Sequence, residues 1–105
     1  MELTICIDQQ RCIEWKINLT EGSLMHILSK LSTWAKPVVV DGETYYFISR
    51  NKIITELPII TGKSDTIYKL LNKLDGMGLI SYKKFGGKDL VRLTEIGRKW
   101  NSRDD

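Results

Sequence analysis

"SDTIYKLLNKLDGMGLISYKKFGGKDLVRL", Ser64 to Leu93, sets a helical pattern directly before a hairpin pattern. Ile67, Leu70, Leu71 and Leu74 recur at three and four residues, which is one apolar stripe on a helix over 64–75. Ser64 or Thr61 is placed to cap its start and Gly76 to stop it. Two β-prone runs then flank Gly86-Gly87, a pair that reaches positive φ without steric cost and closes a hairpin. That hairpin carries Lys83, Lys84, Lys88 and Arg92, four cations that a turn does not require. They either blunt a strand edge against pairing or meet something negative.

The apolar stripe leaves Asp65, Thr66, Tyr68, Lys69, Asn72 and Lys73 on the outward side of the helix. Tyrosine, threonine, asparagine and lysine reach base edges and phosphates, although any wetted helix face is polar. The helix follows Gly62-Lys63-Ser64, so the N–H groups at its start, with Lys63 and Ser64 beside them, are placed to hold a phosphate. A helix of this length fits the major groove, and the basic hairpin would lie beside it over the backbone or minor groove.

Upstream, Ser49 caps a short helix through Ile53, Ile54 and Leu57, and Pro58 ends it. Val38 to Val40 and Thr44 to Ile48 flank Asp41-Gly42 as another hairpin. In "LTEGSLMHILSKLSTWA", Thr20 is the expected cap, with Glu21 in the first turn. Leu24, Ile27, Leu28, Leu31 and Ala35 form the apolar face, and Lys36-Pro37 closes the helix. From Leu3 to Ile17 the alternation of Ile5 and Ile7, then Ile13, Trp15 and Ile17, predicts two strands. The polar Asp8-Gln9-Gln10-Arg11 would turn the chain between them. After the basic hairpin, Leu93-Thr94-Glu95 starts a last helix to about Asn101, and residues 102–105 form a frayed tail.

The charge is unevenly spread. Residues 1–49 hold four cations and six acids, whereas residues 50–105 hold twelve cations and seven acids. A net charge of +3 over 105 residues thus conceals a basic second half, which points to a polyanionic partner. Length, 42% hydrophobic content and 28% charged content fit a single domain over residues 1–105. No apolar run is long enough to span a bilayer, and the first residues lack a signal-peptide pattern, so a cytoplasmic location is expected.

Several chemistries find no support. "TGKS" at 61–64 has Leu57 where a phosphate-binding loop needs its first glycine. His26 is the only histidine and is expected to lie exposed, away from the apolar face of its helix. Cys6 and Cys12 match no zinc spacing and read as small buried hydrophobes. The acids are scattered, and Trp15, Trp34, Trp100, Tyr45, Tyr46 and Phe47 are expected to fill the core. The expectation is a non-enzyme without cofactor or metal.

"KLDGMGLISYKKFGGKDLVRLTEIG" resembles the end of a winged helix-turn-helix domain, as found in MarR-like regulators and many bacterial DNA-binding domains. "TWAKPVVVDGETYYFIS" followed by "LPIITGKSDTIYKLLNKL" is similar to the N-terminal domain of phage- and plasmid-type replication proteins. The resemblance implies an α+β winged helix over residues 19–101; residues 1–18, which it does not reach, add the N-terminal β-hairpin expected from their alternation. It implies a double-stranded DNA-binding protein of replication initiation or transcription control. Asp65, Thr66, Tyr68, Lys69, Asn72 and Lys73 would form the recognition face in the major groove, and Lys83, Lys84, Lys88 and Arg92 would form the wing. Arg50 and Lys52 would reach the adjacent backbone, with Lys63 and Ser64 at the start of the reading helix. The alternative is a winged-helix protein-interaction module that docks a replication or host factor through exposed aromatic residues. Dimerisation through the first and last helices is a third expectation.

Overall fold

Two tight turns organise the sheet. Asp41 and Gly42 take φ of 52° and 80°, and Gly86 and Gly87 take 57° and 79°. Positive φ at both central residues matches the right-handed twist of the flanking strands, so each turn folds a two-residue hairpin. The computed structural model describes residues 7–56 and 64–100. The expected strand residues before Ile7, Cys6, the 57–63 loop with Lys63, and the tail after Trp100 lie outside them.

The first hairpin pairs β1 (Lys36–Val40) with β2 (Glu43–Ile48), and the second pairs β3 (Ile80–Phe85) with β4 (Lys88–Leu93). β2 and β4 join the hairpins into one antiparallel sheet ordered β1-β2-β4-β3. Helices precede each hairpin: α1 (Gln9–Trp15), α2 (Leu19–Leu28) and α3 (Leu31–Trp34), then α4 (Arg50–Glu56) and α5 (Ser64–Gly76). The result is an α+β fold.

The helices bury one face of the sheet. Ile48, Ile80 and Val91 from that face join Leu24, Leu28, Ile53, Ile67, Leu71 and Leu74 in one core. The expected stripe of α5 is therefore met, with Ile67, Leu71 and Leu74 fully buried. α4 begins as expected at Ser49, whose Oγ accepts the Lys52 N–H. α5 runs slightly past the expected stop. Gly78, not Gly76, holds the positive φ, and the Leu79 and Gly78 N–H groups donate to the Leu74 and Asp75 carbonyls. This is a Schellman closure, in which the left-handed residue satisfies carbonyls the helix leaves open.

The N-terminal segment corrects the sequence expectation. Residues 9–15 form α1 in place of a hairpin. Asp8, expected in the turn between strands, is the N-cap, and its Oδ1 accepts the Arg11 N–H at 3.0 Å. The alternation of Ile13, Trp15 and Ile17 is too short to outweigh that cap and the packing around it. Ile13 is 77% exposed, while Trp15 lies against Trp100 with ring centroids 5.9 Å apart. Gly22 of α2 permits the close approach of α1, since a Cβ there would lie 2.8 Å from Cys12 Sγ.

α2 differs in its cap, its length and its burial. Asn18, rather than Thr20, caps it through a reciprocal box: Glu21 N–H donates to Asn18 Oδ1 and Asn18 N–H to Glu21 Oε1. The helix stops at Leu28, not near Ala35. Ser29 Oγ donates to the His26 carbonyl and Trp34 Nε1 to the Ile27 carbonyl, and α3 starts separately after them. Side-chain bonds of this kind compete with helix continuation. Residues 21–28 are buried all round, so His26 is 3% exposed and not on the surface. The last helix is likewise reduced to a 3₁₀ turn, Gly97–Lys99. Thr94 sets it, donating from Oγ1 to the Gly78 carbonyl and accepting the Gly97 N–H.

No helix among the described residues is long and apolar enough to cross a membrane.

Candidate nucleic-acid interface

The candidate surface is built where α4, α5 and the β3–β4 hairpin meet. Its centre is Asp89, 7% exposed on the helix side of β4. Arg50, the first residue of α4, donates from Nε to Asp89 Oδ2 at 2.7 Å, and the Tyr82 hydroxyl donates to Oδ1 at 2.7 Å. Burial penalises the Asp89 carboxylate, but these two bonds outweigh it and hold the pKa below the ordinary aspartate value. Bonding to Asp89 raises Arg50. Burial first, then the bond to Asp89, raises Tyr82. Arg50, expected on the DNA backbone, thus has a structural partner that ties the start of α4 to the hairpin.

Around this anchor stands Tyr68, 40% exposed on α5. The Arg50 guanidinium and the Lys84 ammonium each lie 5.1 Å from its ring centroid. Tyr82 meets it edge-on at 6.2 Å. Lys84 is the cross-strand partner of Asp89, so the hairpin brings one cation onto the exposed face of α5. Lys69 and Asn72 are exposed on that face, and Asn72 Nδ2 donates to the Tyr68 carbonyl at 3.0 Å. Thr66 is half-buried beside them, and Lys52 is exposed on α4. A 360 Å³ cleft opens next to this surface, between Ser49 and Asn51 on one side and Gly87 and Lys88 on the other.

The remaining expected residues separate from this group. Lys73 is engaged by Glu21, which is 2% exposed on α2, so it joins the two helices. Lys63 lies outside the described residues, and for Ser64 the structure describes only its place as the first residue of α5. The pleat divides the cations of the β3–β4 hairpin. Lys84 shares the helix side of the sheet with Tyr82 and Asp89, whereas Lys83, Lys88 and Arg92 have the opposite parity.

On that outer side the three cations lie over aromatic rings of β2. Lys83 Nζ and Arg92 Cζ are 5.3 Å and 5.7 Å from the Tyr45 centroid. Lys88 Nζ is 5.2 Å from that of Phe47. Tyr45 is 3% exposed, and its hydroxyl shares a hydrogen bond of 2.9 Å with Ser81 Oγ. Burial opposes ionisation of Tyr45, yet the bonds to Ser81 and the neighbouring cations lower its pKa. Tyr45 and Phe47 therefore belong to a layer outside the helix-side core, unlike Tyr46, which packs against that core. The period-two alternation of β2 carries this signal, because Tyr45 and Phe47 share one parity and Tyr46 and Ile48 the other.

Family models, curated proteins and solved structures were compared with the chain, and none matches it.

Proposed function

We propose that this protein is a winged-helix module that binds double-stranded DNA, with α5 in the major groove and the β3–β4 hairpin as its wing. The order of three helices, hairpin, two helices and hairpin supports the reading, as does the resemblance of residues 73–97 to winged helix-turn-helix domains. The observation that carries it is Lys84 over the Tyr68 ring, which makes one surface from the exposed face of α5 and one side of the wing. Tyr68, Lys69 and Asn72 would contact base edges and nearby phosphates, and Lys52 and Lys84 the flanking backbone. Arg50 would act through Asp89 and Tyr82, fixing the angle between α4 and the wing. The likeness to phage- and plasmid-type replication proteins suggests origin recognition or transcription control in the cytoplasm.

Selection from random duplex DNA at two salt concentrations tests the reading. With about four phosphate contacts, log K should fall against log salt with a slope of about −4. Lys84→Ala should weaken binding to all sequences alike and make that slope shallower by about one. Asn72→Ala should relax base preference at one position while leaving the slope unchanged. A duplex affinity independent of salt, or no duplex binding at low salt, defeats the proposal.

A further inference from the structure

We propose that the outer face of the sheet is a second binding surface, for single-stranded nucleic acid. This goes beyond the duplex reading and does not rest on it, because the two surfaces are opposite sides of one hairpin. Lys83, Lys88 and Arg92 project there with Lys36 of β1, which is exposed and has the same parity. The facing acids stand at the margin. Asp41 occupies the β1–β2 turn, 4.0 Å from Lys83, and Glu43 begins β2, 4.0 Å from Arg92. Both acids are exposed, so water weakens these pairs and leaves the face cationic.

Charge accounts for a polyanion, and the rings decide which kind. Phe85 is 66% exposed at the end of β3, directly across from Lys88, and no helix among the described residues covers it. Phe47 is half-buried under the Lys88 ammonium. Bases in a duplex show their edges to a protein, whereas unpaired bases present flat faces that stack on aromatic rings. An exposed phenylalanine beside a row of cations therefore suits an unpaired strand. Same-face residues on a strand repeat about every 6.8 Å, so Lys83 and Phe85 stand at consecutive positions along one line of the outer face. In the bound form Lys83, Lys88 and Arg92 would take phosphates, and a base would lie on Phe85. Phe47 would offer a second platform as Lys88 turns toward the strand. Tyr45, buried beneath Lys83 and Arg92, positions those cations and is not itself a stacking partner.

The test measures fluorescence anisotropy with a labelled oligothymidylate of about a dozen nucleotides, within the range one such face covers. The same oligomer annealed to oligoadenylate serves as the duplex. Phe85→Ala should weaken oligothymidylate binding by about 5- to 100-fold, with duplex binding changed less than about two-fold. Lys69→Ala should do the reverse. The joint change Lys83→Ala and Lys88→Ala should lower the salt slope for the single strand. Because Phe85 is exposed, an unchanged thermal midpoint for Phe85→Ala will show that the fold survives. Absence of oligothymidylate binding at low salt, equal affinity of Phe85→Ala and the wild type for it, or self-association that buries Phe85 would each overturn the proposal. Single-strand binding without duplex binding would support it while defeating the duplex reading; duplex binding alone would do the opposite.

Discussion

The two sides of the β3–β4 hairpin hold similar residues to different ends. On the helix side, Lys84 and Arg50 flank Tyr68 above a buried carboxylate. On the outer side, Lys83, Lys88 and Arg92 lie on rings with only marginal acids nearby. The first arrangement is a joint beneath an exposed rim: buried Asp89 ties α4 to β3 and β4, and Tyr68 of α5 meets it through the Arg50, Lys84 and Tyr82 contacts around its ring. The second is a surface, since nothing among the described residues packs over its lysines. Similar residues therefore surround a buried carboxylate on one side and have no such anchor on the other, and substitutions should separate the two.

The largest effect is expected where the helix side is closed at its end. Gly97 lies so near β3 that a Cβ would fall 1.9 Å from the Leu79 carbonyl oxygen, a backbone atom with little room to move. Gly97→Ala should lift the 3₁₀ turn and Trp100, which is 4% exposed, off the core. A loss of about 3 kcal/mol in chemical denaturation is expected, at the upper end for overpacking. An unchanged unfolding midpoint would show that the turn has slack the structure does not suggest.

Next comes the joint itself. Asp89→Asn removes the charge that Arg50 and Tyr82 share, and the loss should be about 2 kcal/mol at neutral pH. The pH dependence gives a sharper check. The folded-state pKa of Asp89 is depressed, so its stabilisation is present above the unfolded aspartate value and disappears as pH falls through the folded value. Between pH 7 and about pH 2, the wild type should lose more stability than Asp89→Asn, and the two curves should converge in acid. Parallel curves would mean that the carboxylate contributes through shape alone.

Much of this joint could not be read from the sequence, and the reason is distance along the chain. Arg50 and Asp89 are 39 residues apart, and Lys73 reaches Glu21 on another helix. Local patterns were sufficient for the hairpins, because Asp41-Gly42 and Gly86-Gly87 specify their own turns. They were sufficient for α5, whose Ile67, Leu71 and Leu74 face one core. They failed at α1, where a polar cluster suggests a turn and serves instead as an N-cap and first helical turn. They failed again at His26, because a helix enclosed on all sides has no outward face for periodicity to reveal. The division of the hairpin's cations was legible in principle. Once Gly86-Gly87 sets Phe85 opposite Lys88, parity assigns Lys84 to one side and Lys83, Lys88 and Arg92 to the other.

The outer side should respond least, and grading its responses tests whether it is a surface at all. Tyr45→Phe removes the hydrogen bond to Ser81 and should cost about 1 kcal/mol. Lys88→Ala removes only a cation above Phe47, an exposed contact worth about 0.5–1 kcal/mol at most. Lys83→Ala should likewise cost no more than about 1 kcal/mol, because its contact with the Tyr45 ring is made by an exposed cation and its carboxylate partner Asp41 is exposed at 4.0 Å. Thermal denaturation in low and high salt will rank these three changes. Should Lys83→Ala or Lys88→Ala approach the loss expected for Asp89→Asn, the outer cations would be fastening the sheet. They would then be unable to leave their rings for a phosphate without weakening the fold.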